Sequence, residues 1–191
     1  SLLPAIQKRL QMFVLRAKVR LEDRSEQLAV AGAAMSAADG ALPDVPYQRR
    51  PLDGGTLIRV PDAAGLQRGL WVGAATEVES FKRTLLSKLA VELPTLPASM
   101  WHWTDIQAGL PQVLDATREQ FVPQMINFEL IGGVNFRKGC YPGQEIVARS
   151  QYLGKLKRRM LLASVDAPEA LPGTEVLDRK STRLNSSHAN I

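Results

Sequence analysis

The chain has 191 residues, 45% of them hydrophobic, which suffices for one compact domain or for one domain and part of another. Its single cysteine excludes an internal disulfide framework and suits a reducing compartment, with the cytoplasm as the simplest placement. The net charge of +5 falls close to neutral once Arg179 to Ile191, which hold three bases and no acid, are set aside, so charge gives little support to direct nucleic-acid binding.

No apolar run reaches the length of a membrane span, and the first residues show no signal-peptide pattern, so no membrane association is expected. Ser1 to Leu10 reads as a short helical segment. Phe13, Leu15, Ala17, Val19 and Leu21 then alternate with polar residues, which predicts a half-buried strand. Short strands are predicted near Leu28 to Ala31, Thr56 to Val60 and Leu70 to Gly73. The Gly-, Pro- and Asp-rich stretch from Asp39 to Gly55 reads as loop.

Val78, Phe81, Leu85 and Leu89 recur at helical spacing and predict a helix over Glu77 to Leu89, ended by Pro94 and Pro97. A second helix is expected from Ala98 to Ala108, closed by Gly109, and a short third one over Pro123 to Leu130. Glu145 to Ala148 reads as a first helical turn after Pro142 and Gly143. Lys155 to Val165 returns to strand alternation. Strands, then helices, then a returning strand give an α+β fold class. Residues 179 to 191 have no periodicity and read as a non-native tail.

The run Lys138-Gly139-Cys140-Tyr141-Pro142-Gly143-Gln144-Glu145 holds the candidate chemistry. Its thiol sits between glycine and tyrosine, two residues from a lysine and just ahead of a helix N-terminus. Both the lysine and the helix end favour thiolate, the reactive form of cysteine. Cys140 and Lys138 are therefore the candidate catalytic pair. A lone cysteine is otherwise most often a small inert hydrophobe. Gln144 and Glu145 can serve as simple cap and dipole partners of the helix. His102 has no second histidine or cysteine at ligand spacing, so no metal site is expected. Arg149, Lys155, Lys157, Arg158 and Arg159 form an acid-free basic strip, open to reading as a solubilising edge or as an anion-binding surface.

The same run also carries a family resemblance, together with Gln120-Phe121-Val122-Pro123-Gln124, Gly132-Gly133-Val134-Asn135-Phe136 and Ile146-Val147-Ala148-Arg149. From about Trp101 to Met160 the chain closely resembles the YgfZ-type folate-binding proteins. These are relatives of the glycine-cleavage aminomethyltransferase (the GcvT-like superfamily) and include proteins that assist iron–sulfur cluster assembly. The resemblance implies a folate-binding core over residues 1–150, incomplete at its N-terminus by on the order of 100 residues, about one domain. It implies the opening strands of a C-terminal β-barrel over residues 151–178.

It also implies tetrahydrofolate as cofactor. Trp101 would line the folate pocket, where a flat indole suits stacking on a pteridine, while Trp103 is expected in the core. Tyr141, Gln144, Glu145 and Arg149 would complete the pocket. Glu129 would meet the adjacent donors of the pterin, with Phe121 to Gln124 and Asn127 as scaffold. Two functions follow from the resemblance. One is an accessory protein for iron–sulfur cluster assembly or repair whose effect reaches tRNA-modifying enzymes, with iron–sulfur proteins as partners. The other is a folate-dependent aminomethyl transferase. A thiol in the loop favours the first, because one-carbon transfer has no obvious need of it. A fragment that folds without activity is the third reading.

Overall fold

A computed structural model describes residues 2–15, 18–52, 54–89, 94–139, 143–154, 156, 158–166 and 170–176. The described residues fall into two compact units. Those from Leu10 to Ala108 form one; those before Leu10 and after Ala108 form the other. A first helix, α1 (Leu3–Gln11), buries no residue.

The Leu10–Ala108 unit is built on a four-stranded antiparallel sheet: β1 (Leu28–Met35), β2 (Arg49–Leu52), β3 (Gly55–Ala63) and β4 (Leu66–Ala74), in the order β1-β4-β3-β2. β3 and β4 are consecutive and joined by a tight turn at Ala64 and Gly65, with a register irregularity between Val60 and Ala63. Both residues of the turn have positive φ, at 51° and 76°, as the tightest hairpins require.

Alternation gives the sheet two faces. One carries Ala33, Met35, Leu57 and Trp71, and against it packs α2 (Val78–Leu89) through Phe81, Leu85 and Leu89. Trp71 is wholly buried, stacks on Phe81 at 5.1 Å and 11°, and donates its indole N–H to the Leu52 carbonyl at 3.2 Å. A buried indole whose polar atom is satisfied stabilises a core through area and geometry together. On the other face lie Gly32 and Arg68, which meet Trp101 of α3 (Ala98–Gln107). Gly109, at φ 68°, follows the end of that helix as a left-handed stop.

The predicted strands at Leu28, Thr56 and Leu70, and the helices α2 and α3, are thus present. Other expectations are not. Among the described residues of 13–21 there is no strand, and Phe13, Leu15 and Val19 are exposed. Alternation marks which residues would share a face, but a strand also needs a neighbour to hydrogen-bond. The loop expected over Asp39 to Gly55 contains β2. That strand tolerates Pro51 because it lies at the sheet edge, where one row of N–H groups is unpaired anyway. Trp103, expected in the core, is 45% exposed.

In the other unit, the helix expected over Pro123 to Leu130 is a single 3-10 turn, Pro123–Ile126. Asn127 ends it in the left-handed region at φ 55°. Reverse turns then run to Gly133, whose amide donates to the Phe128 carbonyl at 2.8 Å. Gly132 sits at φ 76°, and a Cβ on Gly133 would lie 2.6 Å from the Phe128 ring, so this glycine pair is needed for both conformation and approach. The helix α4 (Gln144–Tyr152) follows, entered through Gly143 at φ 82°. Of residues 155–165, those described carry no strand. Within that stretch the Met160 amide instead donates to the Met125 carbonyl of the 3-10 turn at 2.8 Å. No helix among the described residues is long and apolar enough to cross a membrane.

Candidate functional site

In the second unit a set of hydrogen-bonded polar side chains gathers around the turn at Pro123–Ile126. Gln124 is fully buried and its side-chain N–H donates to the Val147 carbonyl of α4 at 2.7 Å. Asn127 donates through Nδ2 to the Met160 carbonyl at 2.9 Å. Arg159 Nη1 donates to Asn127 Oδ1 at 3.2 Å and also to Glu129 Oε1. Three pieces of chain distant in sequence are therefore tied together by side chains: the turn, α4 and the segment at Arg159 and Met160.

Glu129 is 10% exposed at its side chain, and Arg159 is 40% exposed. Arg159 gives this carboxylate a charged hydrogen-bonding partner at one oxygen. The other oxygen, Oε2, is buried without a hydrogen-bond partner, and so is Gln124 Oε1. Buried acceptors are nearly always satisfied. Two on one short loop make a site able to accept hydrogen bonds from a donor-bearing molecule.

The loop after it is open. Lys138 is exposed, and Gly139 and Gly143 have no atom within 4 Å of where a Cβ would stand. Cys140 and Tyr141, the centre of the predicted chemistry, lie outside the described residues. Gln144 is half-buried and Glu145 exposed in the first turn of α4, where a carboxylate favours the helix dipole; no side chain caps that end by hydrogen bonding. Arg149 is exposed in the last turn, the favourable end for a cation.

Trp101 belongs to the sheet-bearing unit. Its half-buried indole lies on the bare backbone of Gly32, and the Arg68 guanidinium carbon stands 4.4 Å from its ring centroid. Arg68 is completely buried, donates to the Thr104 carbonyl at 2.9 Å, and pairs with Asp105. The contacts given to Trp101 thus pin α3 to the sheet.

Sequence reading missed two residues. Arg159 was counted into a basic strip, but its head is committed to Glu129 and Asn127; Lys155 and Lys157 of that strip lie outside the described residues. Arg68 gave only a weak signal, a lone arginine sharing its alternation face with Leu70 and Val72. Among the described residues no group of three or more His, Cys, Asp or Glu side chains is placed to hold a metal ion.

No family model matches the chain. It is, however, 40% identical over 96 residues to the tRNA-modifying protein YgfZ of Colwellia psychrerythraea, covering 50% of this chain and 29% of that protein. It is 37% identical over 102 residues to the protein of the same name from Escherichia fergusonii, covering 53% and 31%. Against that of Pectobacterium carotovorum it is 34% identical over 143 residues, covering 73% and 41%. This chain carries a YgfZ-type sequence. It spans less than half the length of these curated relatives.

Proposed function

We propose that the chain is part of a folate-binding accessory protein that supports iron–sulfur cluster assembly or repair, and through it tRNA modification. The observation that carries the folate reading is Glu129, a buried carboxylate held at one oxygen by Arg159 with its second oxygen lacking a donor. A pterin ring presents an amino group and a ring N–H side by side, the donor pair that a carboxylate accepts best. Tetrahydrofolate therefore fits the residues present. Bound there, it would supply a nitrogen centre able to carry a one-carbon unit. Glu129 would bind and orient the ring, Arg159 and Asn127 would fix the carboxylate, and Gln124 would offer a further acceptor.

The tRNA part of the reading is supported by the name the relatives share, tRNA-modifying protein. The role of the thiol rests on the composition of the loop around Cys140, with Lys138 beside it and open glycines on either side. In the proposal Gln144, Glu145, Arg149 and Tyr141 complete the folate site. The partners are iron–sulfur proteins and the tRNA-modifying enzymes that depend on them, in the cytoplasm. In the same proposal residues 151–178 would be the opening of a GcvT-like C-terminal β-barrel.

Calorimetric titration of tetrahydrofolate tests the binding reading: one saturable site is expected, and no heat beyond dilution would refute it. In cells lacking the longer protein, a Cys140→Ser version is expected to leave cluster-dependent tRNA modification unrestored. Full restoration would remove the thiol from the function.

A further inference from the structure

A separate cluster in the sheet-bearing unit answers to none of this chemistry. Arg59 of β3 is 3% exposed at its side chain, and its one ionic partner among the described residues is Asp62, which is 56% exposed. Its Nε and Nη1 are buried with no acceptor. Arg50 of β2 stands opposite Leu57 in the sheet register, which puts it on the same face as Arg59 and diagonally next to it. Its Nη2 donates to the Ala41 carbonyl, and its Nε is likewise buried without an acceptor. Leu42 stands over Gly69, the register partner of Arg59, so Ala41 and Leu42 cover this end of the sheet.

Among the described residues these two guanidinium groups share one ion-paired acid, the mostly exposed Asp62 on Arg59, which leaves an excess positive charge in a poorly hydrated place. Such a charge is costly unless an anion shares it. The chemistry of that anion follows from which donors are open. Nε and Nη1 of Arg59 do not belong to the same two-pronged edge of the guanidinium, and the third open donor is on a different side chain. A planar carboxylate satisfies one fork at a time. A tetrahedral anion has enough oxygens to accept from several directions.

The geometry points to a phosphate-binding site on the α2 face of the sheet, formed by Arg59 and Arg50. It takes an inorganic phosphate or the terminal phosphate of a small ester. Asp62 competes with the anion for the Arg59 head. The site is independent of the folate reading, because it shares no residue with it.

The test is calorimetry with inorganic phosphate and the whole chain, at ionic strength held constant with chloride, with acetate and a simple phosphate monoester as parallel arms. Saturable phosphate binding is expected. Either Arg50→Gln or Arg59→Gln should weaken it by about tenfold or more, the loss that removing a charge-assisted hydrogen bond produces. Asp62→Asn, at an exposed position, should tighten it. If Arg59→Gln does not fold, Arg50→Gln and Asp62→Asn decide. No saturable heat with phosphate or the ester, equal affinity in Arg50→Gln, or acetate binding as tightly as phosphate would each overturn the assignment. Stronger binding of the ester than of free phosphate would identify the ester as the source.

Discussion

Arg159 Nη1 donates both to Glu129 Oε1 and to Asn127 Oδ1, across about thirty residues of intervening chain. One cationic group thereby fixes a carboxylate and the left-handed end of a 3-10 turn at the same time. Asn127 suits that end for two reasons. Its short amide tolerates positive φ, and its two polar atoms reach Arg159 and the Met160 carbonyl. The turn is thus shaped by partners that follow it in sequence.

The buried Gln124 closes the same arrangement on the side of α4. Replacing it with alanine removes its bond to the Val147 carbonyl and empties a filled position. A loss of about 1–3 kcal/mol is expected, the range for a buried hydrogen-bonding side chain. Urea unfolding of Gln124→Ala beside the parent measures it, and an unchanged midpoint would mean that the contact contributes nothing.

In the sheet-bearing unit, Asp105 is the acid that pairs with the fully buried Arg68. Asp105→Asn leaves that charge without its counter-ion. It should destabilise by about 3–5 kcal/mol, as removing one member of a buried pair does. Arg68→Met, which takes the charge away as well, should cost less than Asp105→Asn. The reverse order in thermal unfolding would refute the ion-pair reading.

Gly32 makes room for an indole. A Cβ there would stand 2.3 Å from the Trp101 ring, with no flexible tip to give way. Gly32→Ala is therefore expected to cost about 1–3 kcal/mol, the usual range for overpacking, and to shift tryptophan emission as Trp101 becomes wetter. Emission and stability both unchanged would show that α3 does not rest on β1.

What could be read from the sequence divides along physical lines. β3, β4 and α2 were legible because their apolar residues repeat at the period of the element and each has a packing partner, as Leu57, Trp71 and Phe81 do for one another. The alternation at Phe13 to Leu21 and at Lys155 to Val165 was just as regular. It carried no information about whether another strand would be alongside. The stretch Pro123 to Leu130 reads as a helix in sequence, whereas Asn127 and the Arg159 contact end it after one 3-10 turn. At the site, the Glu129 carboxylate was legible as a candidate. Its partner was not, because a run of basic residues looks the same whether its heads are solvated or one of them turns inward.

In the proposed folate site Glu129 accepts hydrogen bonds from a reduced folate while Arg159 holds it in place. The most direct measurement is the tetrahydrofolate dissociation constant of Glu129→Gln against the parent, in a chain of the relatives' length, with circular dichroism confirming that both are folded. Glutamine keeps the shape but loses the charge and one acceptor, so affinity should fall by about 10- to 150-fold, the equivalent of about 1.5–3 kcal/mol for a charged hydrogen bond. Equal dissociation constants for parent and variant would contradict the account.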